Sequence, residues 1–213
     1  MESKKEKITV STLNQGTTIE LTTELEKGYA IMNKAYFKNA LPDVTITLTP
    51  DVNGCALGWM YTREVWSKNG KRYYEINICS DHLNRSKVEI YATLLHEMVH
   101  LDNVLKGIKD TSRKGVYHNA KFKESAESHG LKVEKSDKYG YAHTSATEKT
   151  AEWMEKNLPE LVDMCRDTYK SAKRIKAKTI SYKYVCPVCG NSVRAYKELN
   201  LICGDCKEVM EAQ

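Results

Sequence analysis

The residues best equipped for chemistry are His96, Glu97 and His100, in the run Ala92-Thr93-Leu94-Leu95-His96-Glu97-Met98-Val99-His100-Leu101. On an α-helix of 3.6 residues per turn, positions four apart lie one above the other. The two imidazoles therefore share a face and can share one metal ion. Glu97 follows the first histidine and can reach a water on that ion. In a helical H-E-x-x-H, zinc holds the water and the glutamate takes its proton as general base in peptide hydrolysis. Leu94, Leu95, Met98, Val99 and Leu101 make the flanks apolar. The helix is expected to be buried, where histidines and a carboxylate need partners that a metal supplies.

A catalytic zinc generally takes three protein ligands and leaves a fourth position to water. Lys106 stands six residues past His100, which excludes a third histidine at that spacing. The residues alone leave two readings open: Glu124 or Glu127 on a following helix, or His118. His82, His129 and His143 have no ligand spacing to the pair. His143 and Tyr141 remain candidates for substrate or oxyanion contacts.

A second metal chemistry lies near the C-terminus. Cys186-Pro187-Val188-Cys189 and Cys203-Gly204-Asp205-Cys206 are two C-x-x-C knuckles, with thirteen residues between the inner cysteines. Each knuckle turns tightly, eased by Gly190 and Gly204, and aims two thiolates at one ion. Four thiolates make a closed tetrahedral site, a zinc ribbon whose role is structural, with iron as the chemical alternative. Metal binding there replaces the core that some thirty residues cannot build. Of the seven cysteines, Cys55, Cys79 and Cys165 are scattered, so the usage is metal sites plus thiols, not a disulfide framework.

Length and charge bound the partners. The 213 residues suit one medium domain and a small appendage, and the net charge is +5. That charge permits nucleic acid without demanding it. The opening Met1-Glu2-Ser3-Lys4-Lys5-Glu6-Lys7 is charged, with no apolar run behind it. No secretory signal or membrane span is expected, and the expected setting is cytoplasmic.

The elements that must position these groups can be read in order. Residues 1–17 form a polar, loose tail. Leu21, Leu25, Tyr29, Met32 and Tyr36 recur at helical spacing, and Leu41-Pro42 bounds that helix. Val44-Thr45-Ile46-Thr47-Leu48 reads as a strand. The runs 57–66 and 71–79 read as a hairpin turning at Asn69-Gly70, with aromatic residues that pack the core. The central helix starts near Ser86 and ends near Leu105. A helix follows from about His118 to Ser128, capped by Gly130. Tyr139-Gly140-Tyr141-Ala142-His143 is a strand or an ordered loop. Ser145-Ala146-Thr147-Glu148 has the capping-box form and opens a last helix, with a break at Pro159. From 166 to 183 a basic stretch with Arg166, Lys170, Lys173, Arg174, Lys176, Lys178 and Lys183 marks a linker suited to phosphate contact or to plain solvation.

Tyr36, Phe37, Leu41 and Pro42, then the hairpin, then Leu94-Leu95-His96-Glu97-Met98-Val99-His100, then His118, Asn119 and Phe122, resemble the SprT-like, or Spartan-type, metallopeptidase domain over roughly residues 20–145. The resemblance implies that His118 is the third ligand with Phe122 packed behind it. Asn119 stands where the family usually has glycine, and asparagine tolerates unusual backbone angles. It also implies an α+β, zincin-like domain over 18–165, helices on a small antiparallel sheet, then the basic linker and a zinc ribbon over 184–213. Its activity would be zinc-dependent endopeptidase action on a protein or peptide substrate, including DNA-associated proteins. One zinc would be catalytic and one structural. The contrasting reading is a non-catalytic, zinc-containing module that binds nucleic acid or protein. The intact Glu97 argues against it, since a structural site has no use for that carboxylate.

Overall fold

The computed structural model describes residues 17–51, 56–166 and 181–213. The protein is α+β, and its chain divides into two compact units, residues 1–168 and 169–213. Residues 1–16, Cys55, Lys170, Lys173, Arg174, Lys176 and Lys178 lie outside the described residues.

In the first unit, α1 (Thr18–Phe37) starts at Thr17, whose hydroxyl accepts the Glu20 amide, and ends at left-handed Lys38 and Asn39. It buries Leu21, Leu25, Tyr29, Met32, Asn33 and Phe37, one stripe built on three- and four-residue spacing. β1 (Val44–Thr49) pairs in parallel with β4 (Lys71–Cys79), so this sheet is mixed and not the antiparallel one expected. β2 (Gly58–Met60) and β3 (Trp66–Lys68) both run antiparallel along β4. The β3–β4 turn is Asn69-Gly70, with φ of 52° and 79°, as a primed hairpin turn requires. The expected first hairpin strand is split in two. Tyr61 N bonds Glu75 O and Val65 N bonds Tyr73 O, so four residue steps lie opposite two and the excess loops out.

α2 (Lys87–Leu105) opens with a complete capping box between Ser86 and Glu89 and is buried along most of its length. It packs against β2 and β4, and also against α1, α3, α4 and β8. The second sheet has the order β5 (Thr111–Ser112), β6 (Tyr117–His118), β8 (Gly140–Ala146), β7 (Leu131–Ser136). β6 and β8 are parallel there, and the other pairs are antiparallel. α3 (Ala120–Ser128) begins at Asn119 and packs on β7 and α2.

α4 (Glu148–Asn157) corrects one expectation. Its N-cap is Thr147, not Ser145. Ser145 is still in β8, paired with Lys132, and the ladder ends only at Ala146 opposite Leu131. Thr147 is thus the first residue free to cap. The helix stops at Asn157, with Leu158 extended ahead of Pro159. The core of this unit includes Leu21, Leu25, Met32, Ile76, Ile78, Tyr91, Leu94, Leu95, Met98 and Phe122, each at most 1% exposed.

In the second unit, β9 (Tyr182–Val185) is flanked by β10 (Ser192–Ala195) and β11 (Glu211–Ala212), both antiparallel to it. Among the described residues of this unit the buried ones are Tyr184, Cys186 and Cys203, too few for an apolar core. Among the described residues no helix is long and apolar enough to cross a membrane.

Candidate metal centres

α2 presents His96 and His100 on one face, as the four-residue spacing demands. β6 brings His118 to the same point. The three Nε2 atoms are 3.2 Å (His96–His100), 3.2 Å (His96–His118) and 2.9 Å (His100–His118) apart. A tetrahedral ion with metal–nitrogen bonds of about 2.0–2.1 Å would hold its ligand atoms roughly 3.3 Å apart. The triangle fits such an ion. Glu124 and Glu127 are exposed and take no part, so the third group is a histidine.

The outer ring nitrogens show which atoms face inward. His100 Nδ1 lies 2.7 Å from Asp110 Oδ2. A carboxylate only accepts, so His100 carries its proton on Nδ1 and its Nε2 lone pair faces the other two rings. His96 Nδ1 is 2.8 Å from Thr144 Oγ1. His118 Nδ1 is buried and has no hydrogen bond of normal geometry, although the Val116 carbonyl favours its charged form. Burial, then the proximity of His100, lowers His118 to about 4. Burial also drives His96 well below the ordinary histidine value. Neutral imidazoles with converging lone pairs are what a divalent cation requires.

Phe122 floors the site. Its ring centroid lies 4.6, 4.5 and 4.7 Å from those of His96, His100 and His118. The resemblance placed it behind His118 alone; it backs all three. Asn119 is extended (φ −94°), so its value is not an unusual backbone angle. Its side chain instead caps α3, accepting the amides of Lys121 and Phe122. The residue after His118 thereby starts the helix that carries Phe122.

Glu97 is 5% exposed. Burial lifts its carboxyl to about 7, with His100 opposing the rise and Asp110 adding to it. Among the described residues no group donates a hydrogen bond to this carboxylate, which leaves it free to accept a proton.

Asp110 and Thr144 were missed from sequence. Asp110 sits in a polar loop and Thr144 in a short strand, and neither has a spacing that ties it to the histidines. Asp110 also accepts from Asn103 Nδ2 at 2.9 Å, and Asn103 accepts from Ser125 Oγ at 2.8 Å. Of His82, His129 and His143 none joins the cluster: His129 stacks on Phe37 at 4.4 Å, and His143 is exposed on β8, where its proximity adds to the lowering of His118. Tyr141 packs against the core, with Lys123 and Lys135 over its ring.

The second centre is formed by Cys186, Cys189, Cys203 and Cys206, whose sulfurs lie within 4.8 Å of one another. Both knuckles turn alike. Gly190 N bonds Cys186 O and Lys207 N bonds Cys203 O, and both donors have positive φ, 74° and 60°. Gly204 is not at positive φ, so Lys207 takes the conformation in the second knuckle. Backbone amides, that of Cys189 foremost, lower Cys186 to about 7, while the neighbouring Cys189 thiol pushes Cys206 up. Four thiolates this close cannot coexist without a cation. Of the basic stretch, Arg166 is paired with Asp81 at 3.2 Å and Lys183 is exposed on β9. The chain matches no protein-family model, no curated protein and no solved structure.

Proposed function

We propose that the protein is a zinc-dependent metalloendopeptidase of the SprT-like type, with a zincin-like catalytic unit and a C-terminal zinc ribbon. The observation that carries this reading is the convergence of three imidazoles beside the buried carboxylate of Glu97, to which no group among the described residues donates a hydrogen bond. When held by His96, His100 and His118, zinc supplies Lewis-acid polarisation of the scissile carbonyl and an acidified water. Glu97 takes the proton of the attacking water and passes it to the leaving amine. Its lifted pKa suits both halves of that transfer. Asp110 and Thr144 hold two of the rings, and Phe122 keeps water from behind them.

β2 supports the substrate side. In the order β1-β4-β2, no strand among the described residues pairs with the outer edge of β2. Cys79 N bonds Leu57 O and Tyr61 N bonds Glu75 O, so Gly58 and Met60 turn their N–H and C=O outward. A Cβ on Gly58 would lie 3.4 Å from Glu97 Oε1. The edge thus runs past the general base, where an extended peptide can add as a strand. Proteins held on DNA are the substrate class suggested by the resemblance and by the basic 166–183 stretch. Binding to single- and double-stranded DNA across a salt series tests that part, and no affinity at low salt removes it.

The deciding experiment pairs metal content with cleavage. Two zinc ions per chain and hydrolysis of casein or of the chain itself support the enzyme. Two zinc ions with no cleavage, with or without DNA, support the non-catalytic module instead.

A further inference from the structure

We propose that Gly140 is a positioning residue for the third metal ligand: by having no side chain it lets the β6 backbone rest directly on β8, fixing His118 before any metal arrives. This inference rests on the metal-centre reading above. His118 and Gly140 are the one paired position between the two strands. His118 N donates to Tyr139 O at 3.0 Å. A Cβ on Gly140 would collide with the His118 carbonyl oxygen and would lie 2.9 Å from two ring carbons of Tyr117. Gly140 also has φ +65°, the left-handed region. A glycine within a strand often marks such a close backbone approach.

The contact matters for His118 in particular. Its Nδ1 has no partner of normal geometry, whereas the other two rings are held by Asp110 and Thr144. What orients His118 is therefore its backbone and the Phe122 ring. Moving β6 off β8 shifts Nε2 directly, because the polar group beside the ring, the Val116 carbonyl, immediately precedes β6 and moves with it.

The test is a cobalt(II) titration of the full-length, metal-free protein. The four-cysteine site is seen by its sulfur charge-transfer absorption and serves as internal reference, and the three-histidine site by its weaker visible bands. Three variants are compared. Gly140→Ala is expected to lose about 10–100-fold in affinity at the histidine site, the range for residues that orient ligands. Gly115→Ala places a side chain at φ +90° in open space, and Gly130→Ala at φ +86° against Thr150. Both are expected to keep wild-type affinity, although Gly130→Ala lowers stability. A purely structural role would make Gly140→Ala resemble Gly130→Ala, with stability lowered and affinity kept, and that result overturns the inference. A wild-type protein that binds no cobalt at the histidines removes the metal-centre reading and this inference together. If Gly140→Ala does not fold, amide exchange of the metal-free wild type decides. The His118 N–H is expected to be protected, and exchange as fast as that of an exposed loop overturns preorganisation.

Discussion

Asp110 Oδ2 lies 2.7 Å from His100 Nδ1, and the Asp110 carbonyl accepts the Asn119 amide at 3.0 Å. One residue thus grips a helix-borne imidazole by its side chain and the segment after His118 by its backbone. Replacing the carboxylate by an amide keeps the shape but removes a pure acceptor. Asp110→Asn is expected to lower zinc affinity at the histidine site by about 10–100-fold. Chelator competition measures it, and an unchanged constant would mean that the contact does not orient His100.

Glu97→Gln separates binding from chemistry. The residue touches no ligand ring by hydrogen bond, so both metal ions are expected to remain. Loss of the general base is expected to cost at least about 10²–10⁴ in rate. Elemental analysis and a casein assay on the same preparation check both halves. A fully active Glu97→Gln protein would end the mechanism.

Much of this site was legible because helical periodicity is strict. His96, Glu97 and His100 declare a shared face at four-residue spacing, and the two C-x-x-C pairs declare theirs. The strong local signals also carried: Ser86 with Glu89 for the start of α2, and Asn69-Gly70 for the hairpin turn. What stayed hidden was set by pairing between distant segments. β7 has few apolar positions, with only Leu131 buried, and it exists because β8 lies beside it. Ser145 looked like a cap until that ladder claimed it. Asp110, Thr144 and Gly140 reach the histidines only through tertiary contact, which no local pattern records.

The metal-free first unit is expected to lose stability in mild acid. His118 falls from 6.5 to about 4 on folding, and His96 also falls, both through burial. A depressed histidine binds fewer protons folded than unfolded. Its contribution is therefore complete above about pH 6.5 and is lost as pH falls towards 4. Trp59, Trp66 and Trp153 are the only tryptophans and all lie in the first unit, so their fluorescence reports on it alone. The urea midpoint of chelator-treated protein should drop between pH 7 and pH 5, by less than the two histidines alone would give, because Glu97, lifted to about 7, gains stability as it protonates over the same range. A flat midpoint in the Glu97→Gln protein, where that offset is gone, would show that His96 and His118 are not held neutral by the fold.

The second unit offers the opposite test, because there metal and fold are one equilibrium. Among its described residues Tyr184, Cys186 and Cys203 are the buried ones, and the three short strands there cannot offset the entropy of ordering residues 181–213. Cys206→Ser removes one of four ligands and leaves three crowded thiols. The expected result is loss of the second metal and of amide protection in β9, β10 and β11, with the tryptophan signal of the first unit unchanged. Protected strands in a Cys206→Ser protein that holds no second ion would mean that side-chain packing sustains this unit. The four sulfurs would then have some purpose other than stability.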